Sequence, residues 1–300
     1  MSENMSGTLR PVMRAQSIWE NYRVPCNEYI PVYIVFSEPW RDLHRHVIFL
    51  SPHYGLLSAF LYGAVSKRNP MRATAQAFSF GRLNVRQSKR RGQWLQIVDW
   101  QLEAPGMVLN PPSCPEVYLH VALWSELLLY SHGTGHSGYS GDSTKPISEQ
   151  DGSESALLFA ELRSLLSSVL HFGSAAHCRL ATLRFFWQFL LLEGFQPGLS
   201  CCHNCDRAFS LFDEEVFFSE RSELLCSRCA YARSGCFLSS EELNLLCWAE
   251  QDLSGFVRQD EFFFGQQCAH YSEVGRMMFT KLHRSLEVLL GRSLRSSEFV

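Results

Sequence analysis

Four cysteines in two Cys-x-x-Cys pairs, Cys202/Cys205 and Cys226/Cys229, constrain this chain more than any other feature. A two-residue gap turns both thiolates of a pair toward one metal ion. The stretch between the pairs is long enough for a short hairpin to bring the second opposite the first and complete a tetrahedron. The spacing therefore predicts a structural zinc ribbon over residues 199–236. Redox dithiols share the motif, but they follow a strand in a βαβ setting and seldom come as two matched pairs. A disulfide framework belongs to small, cysteine-dense domains in oxidising compartments. Four thiolates leave no open coordination position, so the expected metal is scaffold rather than catalyst. The ligand set has two local rivals: Cys201 could slip the register, and His203 could replace a cysteine. Cys26, Cys114, Cys178, Cys236, Cys247 and Cys268 lack the spacing and read as unpaired thiols.

Around that module the chain changes texture. Residues 1–28 read as a loosely ordered extension. From Tyr29, short runs rich in Val, Ile, Phe and Tyr follow one another: Ile30–Ser37, Val47–Ser51, Leu56–Val65, Phe78–Arg86 and Trp94–Leu102. Turn material separates them, including Pro52-His-Tyr-Gly55 and Lys89-Arg-Arg-Gly92. Five short strands of this kind predict an OB-fold barrel over 29–107. The apolar phase shifts near Gly81, where a bulge is expected. Beyond Pro111-Pro112 the pattern turns helical, which makes the class α+β, with an all-α domain over 111–300. Helices are expected at Glu116–Tyr130, Glu154–Phe172, Ser174–Glu193, 240–254 and 270–290, with a Gly/Ser-rich flexible loop at 131–153. In the second helix, Leu157, Leu158, Leu162, Leu165, Leu166, Val169 and Leu170 are expected on one face. Ser174–Glu193 is apolar on most sides, which predicts a central helix closed by Gly194.

Charge is segregated. The chain has 300 residues and a net charge of −3. Between Leu43 and Val98, however, there is no Asp or Glu, while Arg45, Lys67, Arg68, Arg72, Arg82, Arg86, Lys89, Arg90 and Arg91 all fall there. A positive barrel face is how such modules track a phosphate backbone, with aromatic rings nearby for base stacking. Arg68, Arg72, Arg82, Arg86, Lys89, Arg90 and Arg91 are the expected DNA contacts. Phe78, Phe80 and Trp94 are the candidate stacking rings, although alternating aromatics of a small barrel mostly fill its core.

Catalytic patterns fail on context. Gly133-Thr-Gly-His-Ser-Gly138 matches a dinucleotide fingerprint by letter, but it follows a helix and opens none. Lys145 precedes Pro146, which removes a phosphate-binding loop. His132 and His136 lack a carboxylate pair, and no His-x-Glu with Pro-Cys-x-x-Cys provides a deaminase centre. His44 and His46 alternate on a predicted strand and read as surface or DNA-facing. The chain is therefore not expected to be an enzyme. No stretch reaches membrane-span length: Leu183–Leu192 is short and contains Arg184 and Gln188. The N-terminus lacks signal-peptide order. A soluble, reducing location is expected.

Several segments together resemble the bacterial recombination-mediator family RecO. They are Arg41-Asp-Leu-His-Arg-His-Val-Ile-Phe-Leu-Ser-Pro-His-Tyr-Gly, Gly63-Ala-Val-Ser-Lys-Arg, Leu190-Leu-Leu-Glu-Gly-Phe-Gln-Pro-Gly-Leu before Cys202-His-Asn-Cys205, Leu224-Leu-Cys-Ser-Arg-Cys229, and the ending Leu286-Glu-Val-Leu-Leu-Gly-Arg-Ser-Leu-Arg. The resemblance implies a non-catalytic DNA-repair factor that binds single- and double-stranded DNA. It implies annealing of strands coated with single-strand-binding protein, action with RecR to load RecA, and a cytoplasmic, nucleoid-associated location. The rival reading is a zinc-ribbon adaptor for transcription or protein interaction, without annealing activity.

Overall fold

Apolar alternation over residues 29–102 builds a five-stranded barrel that is buried on its inside and along one outer wall. The structure, a computed structural model, describes residues 28–64, 66, 69, 71, 76–87, 95–103, 115–131, 149–209, 216–250 and 273–295. The barrel strands are β1 (Tyr29–Trp40), β2 (His44–Ser51), β3 (Gly55–Leu61), β4 (Phe80–Gln87) and β5 (Leu95–Leu102). They close in the order β1-β2-β3-β5-β4, with β4 returning to β1. All neighbours are antiparallel except β3 and β5, which run parallel through Ala59↔Leu95 and Phe60↔Gln96. Ile30, Val32, Ile34, Val47, Phe49, Leu57, Leu61, Leu83, Val85 and Ile97 fill the interior. The alternate positions Tyr33, Val35, Leu50 and Phe80 point out of the barrel into the helical core.

The expected bulge at Gly81 is not there. Gly81 stays in register with both Val32 and Leu102, and the irregularities fall at Asn84/Val85 and Ile34/Phe36. The apparent phase change has another cause: Phe80 serves the helical core while Leu83 and Val85 serve the barrel interior. Glycine at 81 answers a close approach, because a Cβ there would come within 2.4 Å of the Trp100 ring.

The helices are α1 (Pro115–Ser131), α2 (Glu149–Phe172), α3 (Ala175–Leu192), α4 (Ser240–Glu250) and α5 over residues 273–290. Helix α3 is central, touching α1, α2 and α4. The Ser174 side chain caps its start by accepting from the His177 amide. Its end is a left-handed Gly194 (φ 74°), with Phe195 N–H donating to Leu190 O. Helix α2 starts five residues before the expected Glu154, in a polar stretch that carries no apolar period. On it Leu158, Leu162, Leu165, Leu166 and Val169 are buried, whereas Leu157 is exposed, 100° around the helix from Leu158. The barrel is seated on α1 and α2. Tyr33 Oη meets Ser125 Oγ at 3.1 Å, and Phe80 packs edge-on against Phe159.

Between α3 and α4 lies a three-stranded sheet in the order β7-β6-β8: β6 (Val216–Ser219), β7 (Leu224–Cys226) and β8 (Gly235–Leu238). It docks on α5 through Ser222 Oγ to Ser285 Oγ at 2.6 Å and the Arg284–Glu220 ion pair. Lys281 is largely covered and pairs with the buried Glu242 at 2.6 Å. Among the described residues, no helix is long and apolar enough to cross a membrane.

Candidate functional site

The four cysteines converge. The Sγ atoms of Cys202, Cys205, Cys226 and Cys229 all lie within 4.8 Å of one another. Backbone geometry decides between Cys201 and Cys202. Cys201 is taken up in a bridge with Ala208, which turns Cys202 inward to complete burial. The second pair hangs from the end of β7, with Cys229 N–H and Ala230 N–H both donating to Cys226 O. Cys205 Sγ lies 3.8 Å from Cys226 Sγ. A tetrahedron with Zn–S bonds of about 2.3 Å has an edge of about 3.8 Å, so the thiols are spaced for one such ion. Among the described residues the cysteines are free thiols.

Polar hydrogens aim at the sulfurs. Cys226 N–H donates to Cys202 Sγ at 3.3 Å, and Asn204 Nδ2 to Cys229 Sγ at 3.4 Å. Burial pushes the Cys202 thiol up, but amide hydrogen bonds from Cys226, Asn204 and Cys205 outweigh it and bring it down to about 6. The Arg207 amide pulls the other way at Cys205, yet hydrogen bonds with neighbouring thiols leave it pushed up to about 12. Negative charge thus gathers on the most buried sulfur. A divalent cation stabilises all four as thiolates. His203 is exposed and lies outside the cluster.

The basic stretch is organised by one end of the barrel. Trp40 pairs with His44 where β1 turns into β2, Arg45 pairs with Leu61 where β3 ends, and Gln87 pairs with Leu95 where β4 and β5 meet. All these strand ends lie together. Arg68, Arg72, Lys89, Arg90 and Arg91 fall outside the described residues. In sequence, however, they belong to the segments that leave β3 after Leu61 and β4 after Gln87. Arg86 is exposed close to this end and donates to Gln96 Oε1 at 3.2 Å. Arg82 is also exposed but sits four residues down β4, roughly 13 Å away.

Two of the three expected stacking rings are elsewhere. Phe78 and Phe80 are buried, packed on Tyr118 and Phe159 respectively, because the outer wall of the barrel is itself a core surface. Trp94 lies outside the described residues. Other rings gather at this end of the barrel instead: His44 and His46, read from the sequence as surface or DNA-facing, and Trp40, Phe60 and Tyr62, which the sequence reading did not single out. Trp40 and Phe60 have centroids 4.5 Å apart, His46 stacks on Phe60 at 5.1 Å, and His44 meets Tyr62 edge-on at 4.9 Å. The Arg41 guanidinium lies 4.4 Å over Trp40, and Arg41 holds a left-handed φ of 54° in the turn. His44 Nδ1 accepts from Gly63 N–H, and His46 Nδ1 lies 3.2 Å from Glu38 Oε1, so both rings are oriented. The signal was present as alternation: His44 and His46 on β2, and Phe60 and Tyr62 at the end of β3, take the outward positions opposite Val47, Ala59 and Leu61.

A cleft of about 360 Å³ lies between the β6–β8 sheet and α5, lined among others by Cys236, Met277, Lys281 and Arg284. Its cations are already engaged: Arg276 with Glu273, Lys281 with Glu242, and Arg284 with Glu220.

No protein-family model matches the chain, and no curated protein matches it at a significant level.

Proposed function

We propose that this chain is a non-catalytic DNA-binding protein of the RecO kind, a mediator that anneals complementary strands during repair and recombination. The observation that carries the reading is a closed five-stranded barrel whose strand ends Trp40, Leu61 and Gln87 lie together and are followed in sequence by Arg- and Lys-bearing segments, inside a stretch without a carboxylate from Leu43 to Val98. The strand order, with β3 and β5 parallel at the closure, is the order expected of an OB-fold. OB-folds bind oligonucleotides on the face of strands 2 and 3 and on the loops after strands 1 and 4; here His44, His46 and Phe60 lie on β2 and β3, and Lys89, Arg90 and Arg91 follow β4, whereas Lys67, Arg68 and Arg72 follow β3.

The four cysteines hold a structural zinc ion in this reading. It ties the segment after α3 that bears Cys202 and Cys205 to the end of β7, and contributes no chemistry to annealing. Annealing makes and breaks no covalent bond; it requires two strands held close, their repulsion neutralised and their bases left to pair. Single-strand-binding protein, RecR and, through RecR, RecA are the partners that the resemblance supplies, with a cytoplasmic, nucleoid-associated location.

The test is annealing of complementary oligonucleotides in a gel assay, without nucleotide, at low and moderate salt. Acceleration that weakens steeply with salt supports the reading. A protein that leaves the spontaneous annealing rate unchanged and binds neither strand overturns it.

A further inference from the structure

We propose that Cys205 is an oxidation site, and that hydrogen peroxide converts the four-thiol centre into a Cys205–Cys226 disulfide with loss of the metal ion. This inference rests on the zinc reading above and adds the response of the centre to an oxidant. Enclosed structural cysteines are inert, whereas thiolates react where a reagent reaches them. This centre is enclosed on one side only. Cys202 and Cys226 are buried and Cys229 is half-buried, but Cys205 is exposed. The local turn sets that difference. Cys202 N–H donates to Arg207 O and Asp206 N–H donates to Cys202 O, so the turn closes on Cys202 and turns residues 203–208 out to solvent. A bound divalent cation makes thiolates of all four sulfurs, so access selects among them.

An oxidised sulfur needs a second thiolate to resolve it. Cys226 Sγ lies 3.8 Å from Cys205 Sγ, in the opposite Cys-x-x-Cys pair and 21 positions along the chain. The Cys205 thiolate attacks one peroxide oxygen, the O–O bond breaks, and hydroxide leaves a sulfenic acid behind. The Cys226 thiolate then attacks the Cys205 sulfur, forms the S–S bond and displaces a second hydroxide. Two thiolates lose two electrons, and one hydrogen peroxide becomes two hydroxide ions. Cys202 and Cys229 remain, too few to hold a four-coordinate ion. A link across the pairs, rather than within one, keeps the segment after α3 tied to the end of β7 by a covalent bond. The sheet then keeps its seat on α5 through Ser222 and Glu220. A thiol reductant reverses the link by exchange. Cys247 is exposed too, but it lies on α4 and outside the cluster.

The experiment treats the zinc-loaded full chain with hydrogen peroxide, reads released zinc with a chromogenic chelator, and maps disulfides by mass spectrometry after alkylation of the free thiols. Bound zinc is expected to fall from about one ion per chain to none as a peptide pair joining Cys205 to Cys226 appears. Dimedone present during the reaction traps the sulfenic acid on Cys205. Dithiothreitol followed by fresh zinc restores the ion. Cys201→Ser and Cys247→Ser release zinc as the wild type does. Cys205→His keeps a Cys3His donor set without the exposed sulfur, and its release is expected to be about ten-fold slower. Zinc still bound once Cys247 is fully oxidised overturns the proposal. So does a link mapped to Cys202–Cys205 or Cys226–Cys229, or a Cys205→His protein that releases zinc at the wild-type rate. Should Cys205→His fail to fold, the wild-type disulfide map decides alone. Freshly purified wild-type protein that neither carries nor takes up zinc overturns the metal reading itself.

Discussion

Glu161→Gln should be among the most damaging conservative substitutions in the helical part. Glu161 on α2 faces Arg184 on the central helix, with Arg184 Nε 2.7 Å from Glu161 Oε1 and the two side chains only 1% and 7% exposed. The pair also serves a helix end. Gln188 Nε2 donates to Ala249 O at 2.8 Å and Arg184 Nη1 reaches the same carbonyl at 3.5 Å, so a carbonyl in the last turn of α4 is bound by α3. Glutamine keeps the shape but removes the countercharge of a guanidinium that is only 1% exposed. Breaking one side of such a pair costs about 3–5 kcal/mol. In a chain of this size that lowers the melting temperature on the order of 10 °C. Urea unfolding followed by far-ultraviolet circular dichroism measures it. The double variant Glu161→Leu/Arg184→Met should recover most of the loss, since replacing both charges by apolar groups of similar volume is close to neutral. If Glu161→Gln costs less than about 1 kcal/mol, Arg184 is solvated and the burial argument fails.

Cys226→Ser should drop bound zinc from about one ion per chain toward none and abolish amide protection in β6–β8, because metal binding and folding are one event in such modules. Cys201→Ser, one residue from the cluster, should keep the ion. A metal-loaded Cys226→Ser protein of unchanged melting temperature would contradict the four-thiolate centre. Reversing Lys89, Arg90 and Arg91 to Glu should weaken single-strand binding and reduce the slope of log affinity against log salt by about 2, from about 0.7 per lost phosphate contact; an unaltered slope removes those residues from the interface. Acid should destabilise the fold between pH 6.5 and 4. Burial lowers both His120 and His177 from 6.5 to about 4, so in that window the unfolded chain binds more protons than the native one. Stability is then intact above pH 6.5 and falls by up to about 2.7 kcal/mol per pH unit for the pair. A urea midpoint that stays flat from pH 7 to 5 refutes this. His120 Nδ1 lies 2.7 Å from Thr182 Oγ1, which also accepts from Trp124 Nε1.

Much of the architecture could be read from the chain because local chemistry enforces it. All five barrel strands lie where β-branched and aromatic residues alternate, and α3 is central because it is apolar around its circumference. Ser174 and Gly194 bound that helix by capping rules that need no tertiary partner. The early start of α2 was illegible, since Glu149-Gln-Asp-Gly-Ser carries no apolar period. Nor does the sequence reveal that Glu242 is folded against Lys281, thirty-nine positions later.

The two Cys-x-x-Cys pairs determined that a four-thiol centre could form, and the run without carboxylates determined where positive charge would collect, because both are properties of neighbours along the chain. Which cysteine turns inward, which aromatics join the helical core and which cluster at the Trp40 end of the barrel were decided only by tertiary structure. Phe80 and Phe60 are each an aromatic on a barrel strand. They differ in whether a helix is packed over that side of the wall, and strand periodicity carries no record of what lies across it.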